Sequence, residues 1–110
     1  MQNIIAIIGL GYVGLPLAIE FAKKYKVLGY DIDRSRIKDL FKFNDETAET
    51  NISDLKRLIK KEISDLHNHG LYLTSTLNEI AIANRYIITV PTPINKNLKP
   101  DLSHLISVHY

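Results

Sequence analysis

The stretch Ile4–Asp31, IIAIIGLGYVGLPLAIEFAKKYKVLGYD, decides the fold of this chain. Its apolar start is typical of a strand buried in a parallel sheet, and Gly9, Gly11 and Gly14 follow directly. A helical pattern and a second apolar run come next, and the acid Asp31 closes the stretch twenty residues after Gly11. A strand, a G-x-G-x-x-G turn, a helix, a strand and an acid together form the pattern of a dinucleotide-binding unit.

Each glycine has a separate role in that pattern. Gly9 permits the tight turn out of the strand, where a side chain would force a strained backbone. Gly11 lets the main chain approach a pyrophosphate, and Gly14 lets the helix pack closely against the strand. A tight turn without a ligand is the alternative interpretation, and the flanking elements favour the cofactor.

Pro16 indicates where the helix begins. Proline has no N–H, so it fits a helix only in the first turn, where amides lack an intrahelical partner. We therefore expect the helix to begin near Tyr12 or Val13. Its free amides and the positive end of its dipole would then point at the phosphates of the cofactor.

Asp31 predicts which dinucleotide binds. A carboxylate at the end of the second strand accepts hydrogen bonds from the ribose hydroxyls and repels a 2′-phosphate, which favours NAD over NADP. Arg34 and Arg36 either contact the adenosine part of the cofactor or lie on a solvated helix face. Asp33 competes for the ribose, but we expect it to cap a helix over Ser35–Phe43.

The rest of the chain extends the same architecture. We expect helices over Ile52–Leu66, ending at Gly70 as a left-handed cap, and over Thr76–Ala83. Third and fourth strands are expected over Leu71–Thr74 and Arg85–Val90. The order predicts an α/β, Rossmann-like, doubly wound parallel sheet with strand order 3-2-1-4, and residues 1–110 form one incomplete domain.

Composition excludes several classes of protein. The 110 residues are 45% apolar and 24% charged, as in ordinary globular chains, and the net charge of +2 does not indicate a nucleic-acid partner. No stretch is long and apolar enough to predict a membrane span. The absence of cysteine fits the cytoplasm. The basic cluster comprises Lys56, Arg57, Lys60 and Lys61, which we expect on the solvated face of a helix.

Two further groups of residues are candidates for a metal site and a cofactor-binding loop. His67 and His69 lack acidic or cysteine partners at ligand spacing, so we expect no metal there but cations at a helix end. Val90, Pro91 and Thr92 follow the fourth strand at the carboxyl edge of the sheet. They form either a rigid turn or a loop that presents the Thr92 hydroxyl to the cofactor.

Four segments carry a resemblance to a known family. IIGLGYVGLPLA at 7–18, GYDID at 29–33, VPTPI at 90–94 and KPDLS at 99–103 resemble the UDP-glucose/GDP-mannose dehydrogenase family over essentially the whole chain. The last two are most similar to the branch that oxidises UDP-N-acetylhexosamines in Vi-antigen, capsule and lipopolysaccharide biosynthesis. The resemblance implies NAD as cofactor. The cofactor-binding residues that it implies, together with the glycine turn, are Gly9, Gly11, Tyr12, Val13, Gly14, Asp31, Arg36, Val90, Pro91 and Thr92.

The resemblance also shows what the chain lacks. Members of this family oxidise the C6 alcohol of the sugar to a carboxylate in two NAD-dependent steps with a cysteine nucleophile. This chain has no cysteine, so we expect no catalytic residue in it and no activity from it alone. The resemblance implies an N-terminal part of a cytoplasmic, homo-oligomeric enzyme that takes a UDP-sugar.

Two other functions compete with this interpretation. A free-standing regulatory NAD-binding module, as in the gating of potassium transport, would share the glycine turn and the acid. A hydroxy-acid or prephenate-type dehydrogenase would share the first strand, turn and helix. The VPTP loop argues against both, and the expected helix over Ile52–Leu66 argues against the first.

Overall fold

The computed structural model describes residues 3–43 and 52–89, which form a five-stranded sheet with helices. The strands are β1 (Ile4–Ile8), β2 (Lys26–Tyr30), β3 (Ile59–Lys60), β4 (Gly70–Thr74) and β5 (Arg85–Ile88). Their order across the sheet is β3-β4-β2-β1-β5, and every neighbouring pair is parallel. The four longer strands lie in the predicted 3-2-1-4 order, which confirms the fold class, and β3 adds one strand at the edge.

Within the described residues, three α-helices and two 3₁₀ segments lie between the strands. The α-helices are α1 (Gly14–Ala22), α2 (Arg34–Phe41) and α3 (Ile52–Leu58). The 3₁₀ segments are Ile63–Asp65 and Leu77–Ile82. The helix predicted over Ser35–Phe43 corresponds to α2, and the one predicted over Thr76–Ala83 is the second 3₁₀ segment. None of the described helices is long and apolar enough to cross a membrane.

The strands β1, β2 and β4 are buried on both faces of the sheet, whereas β5 is largely exposed. Ile5 and Ile7 of β1 pack in one cluster with α1, α2 and α3, whereas Ala6 and Ile8 pack in a second cluster on the opposite face. Successive side chains of a strand point to opposite faces, so a strand covered on both sides is apolar at every position. This burial explains the continuous apolar run at the start of the chain.

The helix predicted over Ile52–Leu66 is wrong beyond Leu58. α3 ends there, and the next two residues form β3, which pairs with β4. Leu55 and Leu58 belong to the cluster on the α1 face, whereas Leu66 belongs to the cluster on the opposite face. A single helix cannot bury its apolar side chains on both faces of a sheet. The helix must therefore end where the chain passes around the edge of the sheet.

Because α3 ends at Leu58, Gly70 and several polar residues lie outside the helical positions predicted for them. Gly70 has a φ of +132° but begins β4, so it does not cap a helix. His67 and His69 are exposed residues of the connection before β4 and do not lie at the end of an α-helix. In the basic cluster, Lys56 and Arg57 lie in α3, Lys60 lies in β3 and Lys61 follows β3. Within α3, Arg57 pairs with Asp54 at 2.9 Å.

Candidate functional site

Gly9 and Thr89, the residues that directly follow β1 and β5, lie at the carboxyl edge of the sheet. The Gly9 N–H donates to the Tyr30 carbonyl oxygen at 2.8 Å, and the Thr89 N–H donates to the Ile8 carbonyl oxygen at 2.7 Å. These bonds extend the sheet ladder by one residue beyond each strand. The edge where open parallel sheets bind their ligands therefore has a fixed backbone.

The three glycines of the turn meet different surroundings. Gly9 has a φ of +101°, a conformation that side chains disfavour. A Cβ on Gly14 would overlap the Gly9 carbonyl oxygen and the Thr89 hydroxyl, so the start of α1 packs directly on the turn. A Cβ on Gly11 would meet nothing within 4 Å. The turn is thus closed toward the sheet and open at Gly11, where a ligand can approach the main chain.

The N-terminus of α1 has no side chain as a cap. The helix begins at Gly14 with Val13 as its N-cap residue, close to the predicted start, and Pro16 lies in its first turn. Valine cannot accept a hydrogen bond, and the side chains of Tyr12 and Val13 are 69% and 54% exposed. The first amides of a helix have no intrahelical partner and carry the positive end of the dipole, so this end suits an anion.

Asp31 binds two backbone amides with its carboxylate. One oxygen accepts from the Leu10 N–H and the other from the Asp33 N–H, both at 2.9 Å. Each carboxylate oxygen can accept more than one hydrogen bond, so Asp31 keeps acceptor capacity for further donors. Burial, and after it the negative charge of Asp31, raises the pKa of the Tyr30 hydroxyl.

The two arginines near the turn differ in their surroundings. Arg36 donates from Nε to the Leu10 carbonyl oxygen at 2.7 Å, whereas the side chain of Arg34 is exposed. Asp33 accepts from the Ser35 N–H at 2.9 Å and the Arg36 N–H at 3.4 Å, which confirms that it caps α2. The interpretation of Arg36 as part of a solvated helix face is therefore wrong.

Thr89 is a residue at this edge that sequence reasoning missed. Its hydroxyl donates to the Gly9 carbonyl oxygen at 2.7 Å and lies 3.2 Å from the Ile8 carbonyl oxygen. The sequence predicted instead the three residues that follow it, Val90, Pro91 and Thr92, which lie outside the described residues. A threonine at the end of an apolar strand was the available signal.

Hydrogen bonds from side chains and backbone also fix the carboxyl end of β4. Thr74 accepts the Asp31 N–H on its carbonyl oxygen at 3.1 Å, and its hydroxyl donates to the Glu79 carboxylate. The Tyr72 hydroxyl donates to the other Glu79 oxygen at 2.8 Å. Burial, and after it the bond to Glu79, raises the pKa of Tyr72 to about 12. Glu79 thus acts within the fold, as an acceptor for two neighbouring hydroxyls.

The described residues also bear on metal binding. Across 3–43 and 52–89 no group of three histidine, cysteine or acidic side chains is arranged to hold a metal ion. The polar groups at the carboxyl edge are instead backbone amides, hydroxyls and one carboxylate beside an open glycine. Those groups fit a phosphate and a ribose, which are the parts of a dinucleotide that this fold receives.

Known proteins are similar to this chain in sequence and in fold. Residues 3–110 match the model of the UDP-glucose/GDP-mannose dehydrogenase family, NAD binding domain. The UDP-N-acetyl-D-glucosamine 6-dehydrogenase of Salmonella typhi is 46% identical over 102 residues, and the enzyme of that name from Pseudomonas aeruginosa is 43% identical over 102 residues. Both alignments cover 93% of this chain and 22% of the relative, so the chain spans about a fifth of these relatives' length.

A solved structure agrees with these matches. The UDP-D-ManNAc dehydrogenase of Pyrococcus horikoshii superposes with a TM-score of 0.78 at 36% identity. The superposition covers 96% of this chain and 24% of that one. The sequence and the fold therefore point to the same group of proteins.

Proposed function

Because the chain belongs to the UDP-glucose/GDP-mannose dehydrogenase family as its NAD-binding domain, we propose that the whole protein is a UDP-sugar 6-dehydrogenase. The substrate is a UDP-N-acetylhexosamine, with UDP-glucose as the alternative, and the C6 alcohol is oxidised to the uronate for capsule or lipopolysaccharide synthesis in the cytoplasm. Relatives at 46% and 43% identity that carry the name UDP-N-acetyl-D-glucosamine 6-dehydrogenase support this choice of sugar.

The glycine turn carries the proposal on the structural side. Gly11 leaves the main chain open, and the uncapped start of α1 offers amides at Tyr12 and Val13 to the pyrophosphate. Asp31 lies beside the same turn and has acceptor capacity left for the adenosine ribose. When bound, NAD supplies the hydride acceptor for the alcohol. Residues 90–92 are proposed to line the same site.

The chain described here supplies binding and orientation. It contains no cysteine, so we propose that it does not oxidise the sugar by itself and that the nucleophile and the sugar-binding residues belong to the rest of a homo-oligomeric enzyme. Under this proposal the cofactor binds to the isolated domain more weakly than to the whole protein, because only part of its pocket is present.

Two measurements test the proposal. Isothermal titration of the 110-residue chain is expected to show binding of NAD, with NADP binding more weakly. The whole protein is expected to reduce NAD in the presence of UDP-N-acetylglucosamine or UDP-N-acetylmannosamine and to release the uronate. NAD binding without reduction on any UDP-sugar would favour a regulatory NAD-binding module instead.

A further inference from the structure

Both backbone groups of Leu10, the residue between the first two glycines of the turn, are bound by charged side chains. Its N–H donates to the Asp31 carboxylate at 2.9 Å, and its carbonyl oxygen accepts from Arg36 Nε at 2.7 Å. The Leu10 side chain is completely buried. This residue is therefore held by its amide, its carbonyl and its side chain at once.

These bonds close a ring between the glycine turn and the start of α2. Asp31 accepts from the Asp33 N–H, Asp33 accepts from the Arg36 N–H, and Arg36 returns to Leu10. Three of the four links are bonds to a carboxylate, and the fourth comes from a guanidinium. Hydrogen bonds to charged groups are shorter and stronger than neutral ones, which fits three of the links at 2.7–2.9 Å, whereas the Arg36 N–H lies 3.4 Å from Asp33. The ring fixes the turn relative to α2.

The link from Arg36 acts on one peptide plane. A trans peptide is planar, and its carbonyl and N–H point in opposite directions, so holding the Leu10 carbonyl also sets the direction of the Gly11 N–H. No cis peptide occurs in the described chain. The same plane sets the course of the main chain into Tyr12 and Val13.

We propose that Arg36 is a positioning residue, whose Nε–H fixes the Leu10–Gly11 peptide so that the turn presents its amides to the cofactor's pyrophosphate. The role rests on the proposed binding of NAD at this turn. It is separate from any contact between Arg36 and the adenosine, because it acts through the backbone of the turn.

Two substitutions separate these roles. Glutamine places an N–H donor at the same number of bonds from Cα as Arg36 Nε, but it carries no charge. Methionine has a similar apolar stem and no donor. For Arg36→Met we expect about tenfold weaker NAD binding, since a net hydrogen bond contributes about that factor, and for Arg36→Gln a loss of about threefold or less. Lys38→Met, at an exposed cation on the same helix, should leave NAD affinity unchanged.

The free chain gives a second measurement that needs no ligand. In ¹H–¹⁵N spectra, Arg36→Met is expected to shift the amide resonances of Gly11, Tyr12 and Val13, and Arg36→Gln is expected to leave them near their wild-type positions. Equal loss of NAD affinity in both variants, or unchanged turn resonances in Arg36→Met, would overturn the positioning role. Shifted resonances in a chain that binds no NAD would support this role and contradict the proposed cofactor function.

Discussion

The Thr89 hydroxyl donates a hydrogen bond of 2.7 Å to the carbonyl oxygen of Gly9, which joins the end of β5 to the glycine turn. A Cβ at Gly14 would overlap both partners of this bond. The side of the turn that faces the sheet is therefore filled by protein atoms. The opposite side, at Gly11, is open.

Thr89→Val is expected to destabilise the chain by about 1 kcal/mol, because it keeps the shape of the side chain and removes the donor to Gly9. Thr89→Ser keeps the hydroxyl and should retain most of that stability. Urea unfolding of both variants measures the difference. Equal stability of the valine and serine variants would show that the bond to Gly9 contributes nothing.

Gly11→Val and Gly14→Val are expected to fail in different ways. At Gly11 the new side chain enters open space, so stability should change by about 0.5 kcal/mol or less while NAD binding is lost. At Gly14 it overlaps backbone and should cost at least about 2 kcal/mol. Thermal unfolding and NAD titration of both variants separate the outcomes. Wild-type NAD affinity in Gly11→Val would exclude this turn as the cofactor site.

Asp31→Asn is expected to lower both the free energy of unfolding and the preference for NAD over NADP. An asparagine replaces one carboxylate oxygen by a donor, so the amide of Leu10 or of Asp33 loses its acceptor, at a cost of about 1–3 kcal/mol. The repulsion of a 2′-phosphate is lost as well, so the ratio of NAD to NADP affinity should fall. Asp39→Asn on α2 is the control for loss of one negative charge. An unchanged affinity ratio in Asp31→Asn would contradict the ribose role.

The stability of the chain should depend on Tyr72 at high pH. Its pKa is raised from 10.0 to about 12, mainly by burial and then by the bond to Glu79, so the folded state holds this proton more tightly than the unfolded state. The resulting stabilisation is complete below about pH 10 and is lost as the pH rises toward 12. The free energy of unfolding, measured with urea across that pH range, should fall less steeply with pH for Tyr72→Phe than for wild type. Tyr12→Phe, at an exposed tyrosine, should follow wild type.

The sequence predicted the elements that local pattern determines. The buried strands, the glycine turn, the start of α1 near Pro16 and the cap at Asp33 each follow from residue types at short spacing. The strand order followed from the architecture that those elements imply. These features required no knowledge of contacts between distant parts of the chain.

Features that depend on distant contacts were missed or misread. The apolar spacing from Leu55 to Leu66 fits a helix, yet Leu58 and Leu66 are buried on opposite faces of the sheet. The bond of Arg36 to Leu10 spans 26 positions and that of Thr89 to Gly9 spans 80, so neither leaves a periodic pattern. Both acceptors are backbone carbonyl groups, which every residue has, so residue type does not identify them in a sequence.

The two edges of the sheet differ in their capacity to recruit another strand. β3 presents only two residues, and very short edge strands are a common protection against aggregation. β5 presents four, including the half-exposed apolar side chains of Tyr86 and Ile88, and within the described residues no strand pairs with its outer side. A further strand, from the same polypeptide or from another molecule, is therefore expected to pair with β5 rather than with β3.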